Sequence, residues 1–135
     1  SRKGIPTVIV PGCVDMANFG GIDSVPAKYR KRQLYEWNPD VTLLRTNEEE
    51  NQRIGKMIAA AVNEATASIV VVIPRGGVSM LDSQGEQFWN PEADNACFDS
   101  IRKNLRKDIP FLEDDHNIND PELSGRTAKL LLEML

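Results

Sequence analysis

Five consecutive β-branched residues, Ile69-Val70-Val71-Val72-Ile73, constrain this chain more than any other stretch. A run with no polar alternation reads as a central strand buried on both faces. Behind it come Arg75, Gly76, Gly77, Ser79 and Asp82, and then Asn90-Pro91, an N-cap and first helical residue for the next helix. The order is therefore strand, long polar glycine loop, helix. In open α/β sheets ligands bind outside the carboxyl ends of the strands. Adjacent glycines let the backbone aim N–H groups at an anion, but they serve an ordinary turn equally well.

The rest of the chain supplies partners for that strand. Thr7-Val8-Ile9-Val10, closed by Pro11-Gly12, reads as a first buried strand. The residues from Cys13 to Pro26 show no clean period, and Phe19, Ile22 and Val25 favour a folded loop. Gln33–Trp37 reads as a short edge strand and Val41–Arg45 as a better one. Thr46-Asn47-Glu48-Glu49 fits a capping box opening a helix with Ile54, Ile58, Ala61, Val62 and Ala65 on one face. The helix from Pro91 buries Ala93, Cys97, Ile101 and Leu105. Ile109–Leu112 begins a last strand, and Asp120-Pro121-Glu122 caps a final helix. Strands alternating with amphipathic helices predict an α/β fold: one domain over 1–135, an open, mostly parallel sheet with helices on both faces.

Bulk properties narrow the function classes. Apolar residues make up 41% and charged residues 27%, ordinary for a globular domain, and the net charge of −4 argues against general nucleic-acid binding. No apolar run reaches the ~20 residues that span a bilayer. The start, Ser1-Arg2-Lys3-Gly4, has no apolar signal core. Cys13 and Cys97 stand far apart without a Cys-x-x-Cys, so a cytoplasmic chain is expected.

Polar residues follow each main strand: Gly12, Cys13, Asp15 and Asn18; Arg45 and Thr46; Arg75, Gly76, Gly77, Ser79 and Asp82; Asp114, Asp115 and His116. In a parallel sheet these rims share one edge. Two arginines with backbone donors suit a nucleotide phosphate or small carboxylate, so Gly12, Asn18, Arg45, Thr46, Arg75, Gly76, Gly77 and Ser79 form the expected binding set. The base-rich Lys28-Tyr29-Arg30-Lys31-Arg32 reads as a solvated turn or an anion contact. A rival reading is a hydrolase or carbon–carbon lyase acting on a small carboxylate, with Asp15, Ser79, Asp82 and His116 as catalytic candidates. A third is an assembly domain without its own ligand. No P-loop or G-x-G-x-x-G occurs. Gly77-Val78-Ser79 is only half a nucleophile elbow, and its helix starts too far downstream. The acidic loop around His116 reads as solvated rather than as a metal site.

Five motifs then fall in one order: Pro11–Gly20, Asn38–Thr46, the Arg75–Asp82 loop with Gly85 and Phe88, Pro91–Asp94, and Asn117–Pro121. Their succession resembles the uncharacterised family built on the ATP-binding domain of the plant inhibitor of tobamovirus RNA replication. The resemblance implies a Rossmann-like subdomain, an ATP-type cofactor, a tendency to oligomerise, and no particular reaction. Trp37 stands where such sequences often carry histidine, and Leu123 where phenylalanine is common. The family module is much longer, so the chain matches its rear subdomain. An exposed apolar face is then expected, with Phe19, Trp37, Phe88 and Trp89 as candidates, covered in a homo-oligomer or by a partner subdomain.

Overall fold

A computed structural model describes residues 4–135. Ser1, Arg2 and Lys3, most of the start read above for a signal core, lie outside the described residues. The elements run β1 (Thr7–Ile9), β2 (Met16–Phe19), β3 (Leu34–Asn38), β4 (Val41–Arg45), α1 (Glu48–Asn63), β5 (Ile69–Pro74), α2 (Pro91–Asn104), β6 (Phe111–Asp114) and α3 (Pro121–Glu133).

The parallel sheet has the order β1-β5-β6, and all six residues of the central strand β5 are buried. On one face Val71 and Ile73 join Val62, Cys97, Phe98 and Ile101 of α1 and α2 in a single core. On the other, Val70 and Val72 meet Leu123 of α3. The expected α/β fold with helices on both faces is the one observed. Each such fully buried aliphatic contributes roughly 1.5–3 kcal/mol. The two helices on the first face cross closely because Gly55 has no side chain: a Cβ there would lie 2.4 Å from the Cys97 carbonyl oxygen.

Val41–Arg45 is not a fourth parallel strand. It is the middle of an antiparallel sheet ordered β2-β4-β3. The reason is local, since only Pro39 and Asp40 separate β3 from β4, and so short a link joins antiparallel neighbours only. The Asp40 amide donates to Asn38 Oδ1 at 2.8 Å and closes the turn. The stretch after Pro11 is folded, as expected, and it also holds β2, a strand its mixed polarity hides.

The α1 cap lies one residue later than the Thr46 capping box predicts. Asn47 Oδ1 accepts from the Glu50 amide and Glu50 Oε2 from the Asn47 amide, both at 2.9 Å. Thr46 is otherwise engaged, because its hydroxyl donates to the Val14 carbonyl at 2.7 Å. Ala61 is exposed, and Asn51, Gly55 and Ala59 share the buried stripe with Val62. Asp120 is the N-cap of α3, yet its carboxylate turns back to accept from the Asn117 amide. Of the aromatics expected on an open face, Phe88 is buried, 1% exposed, while Trp37 is 55% exposed. No helix among the described residues is long and apolar enough to cross a membrane.

Candidate functional site

A groove of about 570 Å³ opens where the loops after β1, β5 and β6 meet the antiparallel sheet. Cys13, Ser79 to Leu81, and Ile118 with Asn119 come from those three loops, and Met16, Asn18, Trp37, Val41 and Leu43 from the sheet. Strand alternation decides which side chains reach it. Met16 and Asn18 face one way along β2, and Val41 and Leu43 do so along β4. The groove thus lies outside the carboxyl ends of the parallel strands, the expected edge, and its volume is that of small-molecule sites. Cys13 holds φ at 52°, unusual for a residue with a side chain, and its amide donates to the Val78 carbonyl at 2.8 Å.

Beneath Ser79 lies a buried polar network. The Ser79 hydroxyl donates to Asp15 Oδ2 at 2.7 Å and accepts from the Asp82 amide at 3.1 Å. Asp82 Oδ2 accepts from the Val78 amide at 2.8 Å, which folds the loop on itself. Arg45, 3% exposed, reaches in from β4: Nη2 lies 2.6 Å from Asp94 Oδ1 and 3.4 Å from Asp82 Oδ1, and Nε donates to the Phe88 carbonyl at 2.8 Å. One guanidinium therefore faces three buried carboxyl groups, and it cannot neutralise them all. Burial, then the Asp82 charge, raise the Asp15 carboxyl above its ordinary value, although Ser79 and Arg45 partly oppose them. Burial pushes Asp94 up to about 7, against the pull of Arg45. Asp15 Oδ1 is buried with no hydrogen-bond partner among the described residues.

The residues singled out from the sequence divide into groups. Asp15, Ser79, Asp82 and Arg45 come together, with Thr46 beside them, and Cys13, Asn18 and Ser79 line the groove. Gly12 abuts Ile118, and Gly76 and Gly77 abut the loop after β6. A Cβ on Gly76 would lie 2.5 Å from the Asn117 nitrogen, and one on Gly77 would lie 1.6 Å from the Asp82 oxygen. These glycines admit protein backbone, and their amides donate to the His116 and Pro74 carbonyls. Arg75 is held by Glu113 and Asn95 and stacks over Phe98. His116 pairs with Asp114 at 2.6 Å and does not line the groove. Despite the cost of burial, His116 and Arg126 hold the Asp114 carboxyl down at about 2. Arg32 is tied to Glu50 at 2.7 Å. Among the described residues no three His, Cys, Asp or Glu side chains are placed to share a metal ion.

Asp94 is the member that sequence reasoning missed. It stands in register with Cys97, Phe98 and Ile101 on the buried stripe of α2, and a carboxylate in an apolar stripe was the available signal.

Comparison with known proteins agrees with the family resemblance. The model for the Uncharacterised protein family (UPF0261) C-terminal domain matches residues 1–135. A UPF0261 protein of Clostridium tetani is 43% identical, over 100% of this chain and 34% of its own length. One from Mesorhizobium japonicum is 36% identical over 97% of the chain and 34% of its own length. The ToMV resistance protein Tm-1(GCR237) of Solanum lycopersicum is 34% identical over 98% of the chain and 18% of its own length. The chain thus spans about a third of these bacterial relatives and under a fifth of the tomato protein. It belongs to the UPF0261 family, matching that family's C-terminal domain over its whole length.

Proposed function

We propose that this domain binds a nucleotide of the ATP type, holding the base rather than the phosphates in the groove between the two sheets. The observation that carries the reading is the groove wall itself. It is largely apolar, it presents the exposed Trp37 ring, and no lysine or arginine among the described residues lines it. Such a surface suits a flat, neutral heterocycle, and stacking a base on an aromatic ring contributes roughly 1–3 kcal/mol. Asn38 Oδ1 accepts from the Asp40 amide, and its NH₂ group, with no partner among the described residues, can donate to a base. Arg75 is engaged by Glu113, so phosphate recognition there requires that pair to open.

Calorimetry with adenosine, ATP and inorganic phosphate tests this. Adenosine and ATP should bind with similar affinity and phosphate alone should not. Trp37→Ala should weaken both about tenfold, and Arg75→Ala should change little. Binding of phosphate alone, or equal nucleoside affinity in wild type and the Trp37 variant, would refute the reading.

A further inference from the structure

Ser79 on the groove wall and the buried Asp15 behind it form a pair whose chemistry base binding does not use. Ser79 lines the groove, and its hydroxyl donates to a carboxyl group of which no part reaches solvent. Asp15 Oδ1 has no protein partner among the described residues, although it is buried. An ionised carboxylate left half-unsatisfied in a dry site is poorly stabilised, and it gains by taking a proton. Its other oxygen already holds the Ser79 proton at 2.7 Å, within the range for direct transfer to a base. The Asp82 amide, 3.1 Å from Ser79 Oγ, fixes the hydroxyl from the opposite side. The arrangement is that of a nucleophile and its base, the base being a carboxylate instead of an imidazole.

We propose that Ser79 is the nucleophile of an acyl-transfer or hydrolytic site, with Asp15 as its base, acting on an activated carboxylic ester or thioester seated in the groove. Ser79 Oγ forms a bond to the acyl carbon while its proton passes to Asp15 Oδ2. The bond from that carbon to the leaving group then breaks, and the alcohol or thiol departs with the proton from Asp15. Water attacks the acyl-serine with Asp15 again taking the proton, the carboxylic acid leaves, and Ser79 recovers its hydrogen. His116 is not called on in this chemistry, since it does not line the groove and its Nδ1 is paired with Asp114. The inference stands apart from nucleotide binding and needs only a groove open to small molecules.

The test uses the full natural chain that carries this domain and an alkyl fluorophosphonate, which marks activated serines. Peptide mass mapping should find one adduct, on Ser79, formed faster as pH rises above the ordinary carboxylate range. Asp15→Asn should slow labelling roughly a hundredfold, the lower end of what a positioned base supplies, and abolish that pH dependence. Thermal unfolding of the variant is read alongside. If Asp15→Asn does not fold, the wild-type adduct and its pH profile decide alone. A folded wild type with no adduct on Ser79, a pH-independent rate, or equal labelling of a folded Asp15→Asn variant would overturn the proposal.

Discussion

Arg45 Nη2 lies 2.6 Å from Asp94 Oδ1, and both side chains are almost wholly buried, 2% and 5% exposed. The contact joins the antiparallel sheet to α2, while Asp82 brings the glycine loop to the same guanidinium. Truncating the arginine strands buried carboxyl groups without a cation. Arg45→Met should therefore destabilise the fold by about 3–5 kcal/mol, whereas Asp94→Asn costs much less. Denaturant unfolding of the two variants measures the difference. Equal losses would show that the pair does not organise the site.

The same pair sets a pH dependence. Asp94 has a value of about 7 in the folded chain against an ordinary 3.8, so between those limits the folded form binds more protons than the unfolded form. Its contribution is complete below pH 3.8 and is lost as pH rises through about 7. Stability should fall by on the order of 2–4 kcal/mol across that window, and Asp94→Asn should flatten the decline. Thermal melts from pH 4 to 8 check this, and a wild type that gains stability over that range would contradict it.

Asp114 works in the opposite sense. Its folded value is about 2 against an ordinary 3.8, so its contribution is present above 3.8 and disappears as pH falls toward 2. Asp114→Asn should remove that acid limb, and Arg126→Ala should reduce it. Acid titration followed by circular dichroism reads both effects.

The glycines of the organising loop should differ sharply. Gly77 combines φ of +119° with the Asp82 oxygen 1.6 Å from any Cβ, whereas Gly85, at φ +92°, has open space around it. Gly77→Ala should cost several kcal/mol or prevent folding. Gly85→Ala should cost about 1 kcal/mol from backbone strain alone. Comparable losses at the two positions would mean that packing around Gly77 yields easily.

Exposure does not make Cys13 a reactive thiol. Partial burial and then the Asp15 charge raise its thiol above the ordinary value, and burial pushes Cys97 up to about 12. Alkylation by iodoacetamide at pH 8 should be slower at Cys13 than in a free peptide and negligible at Cys97. Mass mapping over time distinguishes them, and Cys13 reacting faster than the peptide would contradict the stated electrostatics.

The strands and helices with strong periodicity are legible in the sequence. Ile69–Ile73 is the central strand because a β-branched run can be satisfied only where both faces are covered. Asn90-Pro91 opens a helix because side-chain capping is local chemistry, and the Asn90 oxygen accepts from the Ala93 amide as its type predicts. Asp15, Ser79 and Asp82 could be named as polar residues following buried strands. Each of these features depends on neighbours a few positions away in the chain.

Partnership between distant residues was decided only by the tertiary structure. Both arginines after strands looked alike in the sequence. Arg45 closes a buried network because β4 turned into the antiparallel sheet, while Arg75 is drawn to Glu113 because β6 lies beside β5. His116 pairs with Asp114, only two residues away, while Ser79 pairs with Asp15 from a distant loop. Asp94, on the far side of the glycine loop, becomes a site residue through helix packing alone. Periodicity and capping are properties of adjacent residues, so the sequence carries them directly. Which carboxyl meets which guanidinium depends on how the two sheets pack, and on the desolvation that packing imposes.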